Sequence, residues 1–519
     1  LQERSLGLED IYPQNGSAAW GDANGDGFPD LAVSSRQKDS GDNIVYLHRL
    51  YLNDKQGGLL PPIELPLPAD SGAAELLWLD IDNDGDLDLV AGSDKGIHIL
   101  KNNGQAHFTL AQSLPYSCGP GMLCSADFDL DGRPDLAVAG SEKTLVLFQT
   151  TAGNFSAYTL SERYNDITYS LGNFAPAIAA GDINGDSWPD LVASGRKGSE
   201  KRLLWYKNNG DYTFSPQLLP LPAAHNFSIA IADYDGDGCD DILYSGGSQD
   251  GALGSKQRFY GIMQGRGEGQ PKNIAMPSGL PPLWGGRVLW ADLDNDGRAE
   301  AIIGGIENQG ITLGWSYGST EQFPAKPLYR HYTRVLHWDE GSGSFLDSGM
   351  QLPSTLGFMG ASMLCAVDFD NDGDLDLLSG GLITSKAGFV AGRGPGAELC
   401  KMFFLENLAC GYFGQQRPNA APAAPSALSA EALGQGKVRF NWSAPADDLT
   451  SAGALRYLLQ LGTASGVYNL CSGNVAYGNA AMLLKPGLSI RRLPAGKLYW
   501  RVRAVDTSGK LSPWSGEAS

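Results

Sequence analysis

A nine-residue acidic string, D-x-[DN]-x-D-[GS]-x-x-[DE], occurs seven times in this chain of 519 residues. Carboxylates at alternate positions converge on one point only where the backbone coils tightly, and Gly at position 6 permits the positive φ that such a coil requires. An all-oxygen ligand set suits a hard cation. Ca²⁺ accepts about six to eight oxygens in irregular geometry, whereas Mg²⁺ demands a near-ideal octahedron. The strings therefore predict up to seven Ca²⁺ sites.

We number the strings loops 1 to 7 in chain order and predict ligands at positions 1, 3, 5 and 9, with a main-chain carbonyl at position 7. Position 1 is Asp22, Asp80, Asp127, Asp182, Asp233, Asp292 and Asp368. Position 3 is Asn24, Asp82, Asp129, Asn184, Asp235, Asp294 and Asp370. Position 5 is Asp26, Asp84, Asp131, Asp186, Asp237, Asp296 and Asp372. Position 7 is Phe28, Asp86, Arg133, Trp188, Cys239, Arg298 and Asp374. Position 9 is Asp30, Asp88, Asp135, Asp190, Asp241, Glu300 and Asp376. Because loop 4 has Asn184 at position 3 and Ser187 in place of Gly at position 6, we expect its site to be the weakest.

Two other interpretations of the strings are possible. An EF-hand shares the first six positions but needs a bidentate Glu at position 12 and a helix on each side. Position 12 is instead a non-ligand in every loop, namely Val33, Ala91, Val138, Ala193, Tyr244, Ile303 and Ser379. A short apolar run follows each loop, which is typical of a strand. Simple Asp-Gly hairpin turns are the second alternative, but seven copies with acids at positions 1, 5 and 9 favour a metal.

The spacing of the loops predicts the elements that position them. Successive loops start 47 to 76 residues apart, which is enough for about four short strands per repeat, the content of one propeller blade. Trp20, Trp78 and Trp290 all lie two residues before a loop, and this recurrence favours packing over ligand binding. Segments such as LLWYKNNGDYTF predict an outer hairpin in each repeat.

On these motifs, residues 1–415 resemble the FG-GAP and VCBS repeat family, whose members include the integrin α-subunit head and many secreted bacterial proteins. The resemblance implies an all-β fold, a seven-bladed β-propeller with a calcium loop between the first and second strands of each blade. The last repeat, KMFFLENL, has no good fourth strand after it. We therefore predict that residues Gln2 to Leu6 pair with the last blade and close the ring, which would protect both edges.

A second region follows the repeats. Residues 416–426 are a Pro/Ala linker, and residues 427–519 resemble an Ig-like or fibronectin type III β-sandwich. The features that carry this resemblance are Trp442 on an early strand and Tyr499 before RVRAVD. We expect this region to be a spacer.

Composition restricts the partners and the compartment. The net charge of −20 argues against nucleic acid and anionic membranes as partners, and calcium binding would offset much of it, so folding and calcium are expected to be coupled. No apolar run is long enough to span a membrane. The chain starts at Leu1, as a secreted protein without its signal peptide would. Cys118 could pair with Cys124, and Cys400 with Cys410, although Cys124 also fits a packed strand interior.

The leading functional hypothesis is a noncatalytic secreted or cell-surface module for adhesion, which binds an extracellular protein or a glycan. Strand alternation places the longest variable segments, 36–43, 246–256, 307–334 and 381–398, on the face opposite the calcium loops. The alternative is a carbohydrate-active enzyme of the polysaccharide lyase type, because some lyases use such propellers. No catalytic residue can be assigned, since the histidines are scattered and no H-E-x-x-H, G-x-S-x-G or P-loop motif is present. The oligomeric state is not indicated.

Overall fold

The computed structural model of the protein consists of β-strands and loops, and its described residues contain no helix. The all-β prediction is confirmed for this part of the chain. The described residues are 2–8, 11, 16–38, 44–68, 71–72, 74–119, 121–140, 143–151, 153–161, 177–197, 200–221, 225–247, 258–267, 269–278, 280, 283–284, 287–308, 329–349, 363–382, 400–407, 419–475 and 485–519.

Antiparallel sheets follow one another along the repeat region, and each contains one acidic loop. Strand β1 (Gln2–Arg4) belongs to the last of them. Sheet 1 contains β2 (Ser17–Gly21), β3 (Asp30–Lys38), β4 (Ile44–Tyr51) and β5 (Ile63–Glu64). Sheet 2 contains β6 (Glu75–Leu79), β7 (Asp88–Ser93), β8 (Gly96–Lys101) and β9 (Thr109–Leu114). Sheet 3 contains β10 (Leu123–Ala126), β11 (Asp135–Ala139), β12 (Thr144–Thr151) and β13 (Asn154–Ser161). Sheet 4 contains β14 (Ile178–Gly181), β15 (Asp190–Lys197), β16 (Glu200–Asn208) and β17 (Phe214–Leu218).

The remaining repeat sheets keep this strand order, with one additional strand in sheet 6 and with β1 as the fourth strand of sheet 7. Sheet 5 contains β18 (His225–Ala232), β19 (Asp241–Gly247), β20 (Arg258–Gln264) and β21 (Lys272–Ile274). Sheet 6 has five strands, because β22 (Leu283–Trp284) and β23 (Val288–Ala291) both pair with β24 (Glu300–Asn308), which is followed by β25 (Tyr329–Asp339) and β26 (Ser344–Asp347). Sheet 7 contains β27 (Met363–Val367), β28 (Asp376–Leu382) and β29 (Cys400–Glu406).

The two ends of the repeat region meet in sheet 7. Strand β1 pairs antiparallel with β29, with Gln2 opposite Glu406 and Arg4 opposite Phe404. Arg4 also donates a 2.5 Å hydrogen bond to the Glu406 carboxylate. The predicted closure by the amino-terminal segment is confirmed, since β1 occupies the fourth position of the sheet that lacks a fourth strand of its own.

Hydrophobic cores lie between neighbouring sheets, and the contacts run from sheet 1 to sheet 7 and from sheet 7 back to sheet 1. The first strands β2, β6, β10, β14, β18, β23 and β27 contact one another in this order, and β27 contacts β2. Trp78 is almost fully buried, and its Nε1 donates to the carbonyl of Ala19 in the preceding sheet. Trp20 packs against Phe369 and Phe404 of sheet 7. The predicted packing role of the recurrent tryptophans is confirmed.

We call residues 419–519 the C-terminal region, and its described residues, 419–475 and 485–519, form two small sheets. The first contains β30 (Ser426–Gly434), β31 (Lys437–Ser443) and β33 (Ser489–Ile490), and the second contains β32 (Arg456–Gly462) and β34 (Tyr499–Val505). Trp442 in β31 and Trp500 in β34 are both buried in the core of this region. Part of the predicted linker is bound to this region, because Asn419 donates to Asp506 and Ala420 donates to Asp448.

Several local expectations need correction. Cys118 and Cys124 are both free thiols, so no disulfide joins them, and burial raises the pKa of Cys124 above its usual range. Cys410 lies outside the described residues, so the Cys400–Cys410 pairing remains a prediction. Strands β24 and β25 extend into the segment expected to be a loop, which shortens it to 309–328. Most of the four long segments lies outside the described residues, which do not include 39–43, 248–257, 309–328 and 383–399.

Candidate metal centres

Each acidic loop connects the first strand of its sheet to the second, because position 9 is the first residue of β3, β7, β11, β15, β19, β24 or β28. The loops share one pattern of hydrogen bonds. The backbone N–H at position 6 donates to the Oδ2 atom of the position 1 aspartate in all seven loops. The backbone N–H at position 7 donates to the position 5 aspartate in all seven. These bonds aim the short acidic side chains into the turn.

Two residues in each loop have the left-handed conformation. At position 6 all glycines have positive φ, and Ser187 adopts φ of 70° in the same place. Position 4 is also left-handed in every loop, in Gly25, Asn83, Leu130, Gly185, Gly236, Asn295 and Asn371. Position 4 was not among the predicted positions, although Gly or Asn occupies it in six loops, and these residues tolerate the left-handed conformation best.

The loops bring the predicted acids together. Ligand oxygens lie within 4.8 Å of one another in Asp80, Asp82 and Asp88, in Asp127, Asp129 and Asp135, in Asp233, Asp235 and Asp241, in Asp292, Asp294 and Glu300, and in Asp368, Asp370 and Asp372. In loop 7 the grouped acids are at positions 1, 3 and 5, and Asp376 is not among them. Loops 1 and 4 have Asn at position 3 and form no such acidic triad among the described residues, but they keep the same hydrogen bonds to Asp22 and Asp182.

The electrostatics of these loops fit a cation. Burial, with the charges of neighbouring aspartates as a further cause, raises the pKa of Asp190 and Asp376 to about 8. Burial likewise raises the pKa of Asp368 to about 7. Asp129 is 2% exposed, and its Oδ1 has no hydrogen-bond partner. Crowded buried carboxylates with an unpartnered oxygen are costly in the ionised form unless a positive charge stabilises them. These residues therefore fit Ca²⁺, whose ligands would be the oxygens at positions 1, 3, 5 and 9.

The acid at position 9 also anchors the third strand of its sheet. Its Oδ1 accepts the backbone N–H of Asn53, Asn102, Gln149, Asn208, Gly265 or Asn407 in loops 1 to 5 and 7, at 2.7 to 2.8 Å. The side chains of the five amides then donate to carbonyls of the preceding sheet, which are Phe369, Ala23, Ile81, Phe128 and Leu293. Each amide therefore joins one sheet to the next. These amides were not among the predicted site residues, although Asn recurs at the end of the third strand in YLN, LKN, YKN and LEN.

The position 4 asparagines connect neighbouring loops. Asn83 donates to the carbonyl of Gly132 in loop 3, Asn295 donates to Gly373 in loop 7, and Asn371 donates to Gly27 in loop 1. In each case the acceptor is the position 6 carbonyl of the next loop. The loops therefore form a connected surface at one end of the sheets, which we call the loop face.

The C-terminal region lies on the loop face. Arg456 donates to Asp233 at 2.8 Å, Lys485 donates to Asp182 at 3.1 Å, and Thr507 donates to Asp292 at 2.5 Å. All three donors reach the Oδ2 atom of a position 1 aspartate. Arg492 lies 3.1 Å from Asp129 and donates to Asp131 at 2.8 Å. No local pattern indicates these contacts, because every one of them joins residues at least 215 positions apart.

The opposite face is formed where second strands meet third strands. Those connections include the long segments predicted to bind a ligand, and most residues of these segments lie outside the described part of the chain. At this end Glu75 at the start of β6 is partly buried, and its carboxylate accepts a 2.5 Å hydrogen bond from the N–H of Gly121. Burial raises the pKa of Glu75, and the charge of Arg287 opposes this shift.

Comparisons with known proteins agree with the repeat structure. Residues 22–91, 127–193 and 182–244 match the FG-GAP-like repeat. Human Cartilage acidic protein 1 is 27% identical over 205 residues, which are 39% of this chain and 27% of that protein. The chain thus matches about a quarter of the length of that relative.

Similar solved structures share little sequence with this chain. An Agrocybe aegerita lectin that recognises non-reducing terminal N-acetylglucosamine has 16% identity and a TM-score of 0.40, covering 78% of this chain and 99% of that chain. The V. cholerae biofilm matrix protein Bap1 has 10% identity and a TM-score of 0.33, covering 79% and 90%. The Dos1 propeller has 12% identity and a TM-score of 0.35, covering 76% and 94%. Three stretches of the chain thus match an FG-GAP-like repeat, and its described residues form repeated, mostly four-stranded antiparallel sheets. Among the described residues, no helix has the length and hydrophobicity needed to cross a membrane.

Proposed function

We propose that this protein is a calcium-binding, seven-bladed β-propeller with a fibronectin type III-like sandwich, and that it acts as a noncatalytic ligand-binding module. The propeller would comprise residues 1–415 and the sandwich residues 427–519. The weak similarity to a cartilage protein supports an extracellular location, where calcium concentrations would fill sites of about 10⁻⁴ to 10⁻³ M affinity.

Calcium has a structural role in this proposal. Each loop follows the first strand of its sheet, and these first strands contact one another around the repeat region. The acids of a loop are too crowded to remain ionised without a counter-charge. Calcium would supply that charge and fix the turns, while the inter-sheet amides such as Asn208 hold the sheets in place. The support is the recurrence of one hydrogen-bond pattern in all seven loops.

One observation carries the assignment of the ligand face. The C-terminal region covers much of the loop face and bonds to acids of loops 3 to 6. The loop face is therefore occupied within the chain, and the opposite face, with the long second-to-third connections, is the one left for an extracellular protein or glycan. Long connections on a rigid scaffold are the usual place for binding residues.

Two measurements test the proposal separately. Isothermal titration of the metal-free protein with Ca²⁺ is expected to give several binding events, and thermal denaturation is expected to show a higher melting temperature with Ca²⁺ than without it. Mg²⁺ should give much smaller binding heats and a much smaller rise in melting temperature. Absence of calcium binding would overturn the metal assignment. A glycan array and an extracellular-protein binding screen would then identify a ligand.

The ligand face is tested by replacing residues 310–327 with a short Gly-Ser connection. Binding is expected to be lost at an unchanged melting temperature, because the replaced residues lie between β24 and β25 and not within them. The matched control is Lys497→Ala, since Lys497 lies in the C-terminal region. Binding that survives the loop replacement but is lost in the control would place the ligand site elsewhere.

A further inference from the structure

We propose that the C-terminal region docks on the calcium-loaded form of loops 3 to 6, so that calcium binding and domain docking strengthen each other. This inference rests on the proposed calcium sites. It goes beyond them because it assigns a partner to the loop face and a calcium-dependent interface to the protein.

Leu130 of loop 3 is the residue that most directly indicates docking of the C-terminal region on the loops. It occupies position 4 of loop 3, where the other loops have Gly or Asn, and its φ is 52°. A leucine is disfavoured in this conformation. Its side chain is nevertheless 4% exposed, because it packs into the core of the C-terminal region with Phe440, Tyr457 and Trp500. The backbone N–H of Arg491 also donates a 2.7 Å hydrogen bond to the Leu130 carbonyl.

The position of Leu130 depends on the shape of its loop. Left-handed residues at positions 4 and 6 form the tight coil that brings the acids together, and the same coil turns the position 4 side chain outward. Loop 6 makes a similarly close contact, since a Cβ at Gly297 would lie 2.2 Å from the carbonyl oxygen of Leu449. A loop opened by repulsion among its acids would lose both contacts.

The donors of the C-terminal region leave room for a metal ion. Arg456, Lys485 and Thr507 each contact the Oδ2 atom that also accepts the position 6 N–H. In loop 3, Arg492 lies 3.1 Å from Oδ2 of Asp129, and neither oxygen of this buried carboxylate has a hydrogen-bond partner. In loops 4 to 6 the C-terminal region therefore binds the oxygen that already accepts a backbone N–H of the loop, as outer-shell partners of metal ligands do.

The negative charge of loop 3 is also large enough to need both Ca²⁺ and basic side chains to balance it. Loop 3 has four carboxylates, at Asp127, Asp129, Asp131 and Asp135. One Ca²⁺ would offset two of these charges, and Arg133 and Arg492, which both contact Asp131, would offset the other two. The C-terminal region carries ten Lys and Arg residues against five Asp and Glu residues. A basic region thus lies on an acidic face whose charge exceeds what the metal can balance.

Coupling between two binding events is reciprocal. If docking stabilises the coiled loops that calcium also stabilises, chelation must weaken docking. Small-angle X-ray scattering of the full chain tests this directly. The protein is expected to be compact with Ca²⁺, to reach a larger maximum dimension with a chelator, and to become compact again when Ca²⁺ is returned.

The variant Leu130→Asn separates docking from metal binding. Asn is the residue found at position 4 in three other loops, so the loop itself should retain its conformation and its metal. Loss of the buried leucine is expected to lower the ratio of docked to undocked protein by about a hundredfold, which makes the variant extended even with Ca²⁺. The control Arg439→Ala removes a basic side chain that pairs with Glu431 within the C-terminal region, and it should stay compact.

The outcomes are distinguishable from failure of the proposed function. Equal scattering with and without calcium, in a protein that calorimetry shows to bind calcium, would overturn the coupling and leave the metal sites intact. A protein that opens when calcium is added would show competition and would also overturn it. If circular dichroism shows that chelation unfolds the propeller, the scattering of the Leu130→Asn variant in calcium is used instead. A compact variant would then contradict the proposal.

Discussion

The substitution Asn208→Ala tests whether buried amides hold neighbouring sheets together. Asn208 ends β16 and is 1% exposed. Its Nδ2 donates to the carbonyl of Phe128 in sheet 3 at 2.8 Å and to the carbonyl of Pro189 at 3.0 Å. Its Oδ1 accepts the N–H of Gly210 at 3.0 Å. Alanine would remove these three hydrogen bonds and leave their partners unsatisfied.

The expected cost follows from these contacts. Each hydrogen bond contributes about 1 kcal/mol net, and an unsatisfied buried partner adds to the loss, so the free energy of unfolding should fall by about 3 kcal/mol. Calcium stoichiometry should not change, because the backbone N–H of residue 208 still donates to Asp190. Urea unfolding in saturating calcium, followed by tryptophan fluorescence, measures the effect.

The neighbouring Asn209 is a matched control. It is the same residue type one position later, but it is exposed, and its Nδ2 donates to Oγ1 of Thr213 within the same hairpin. The variant Asn209→Ala should change the free energy of unfolding by about 0.5 kcal/mol or less. Equal effects of the two substitutions would refute the inference that inter-sheet bonds of the amide stabilise the ring.

Three further predictions concern the loops. Ser187→Gly should stabilise loop 4 by about 1 kcal/mol and raise its calcium affinity, because Ser187 has φ of 70°; a calcium titration showing weaker binding would contradict this. In the metal-free protein, burial raises the pKa of Asp190 and Asp376 to about 8, above the value of about 4 in the unfolded chain. The folded state then binds more protons, so metal-free stability should fall as pH rises from about 4 to about 8, and melting curves with a chelator that rise over this range would refute it. Because protons compete with calcium for the same carboxylates, calcium affinity should increase from pH 6 to pH 8, which titrations at both values would measure.

Much of the fold could be predicted from local patterns. The spacing of the loops predicted repeated sheets, and the missing fourth strand after KMFFLENL predicted the closure that β1 provides. Of the two interpretations of Cys124, a packed position within a strand is confirmed, because Cys124 lies in β10, and the disulfide with Cys118 is not formed, because both thiols are free. Proximity along the chain gave a plausible pair, but strand geometry decided the positions of the two side chains.

The sequence alone determined the chemistry of each loop, because its acids, its Gly at position 6 and its strand borders lie within nine residues and act locally. It also determined the number of repeats and the order of elements. Only the tertiary structure decided which surfaces meet. Asn208 reaches Phe128 across 80 residues, and Arg492 reaches Asp131 across 361. Such contacts depend on how the sheets and the C-terminal region pack, and no local spacing encodes that arrangement.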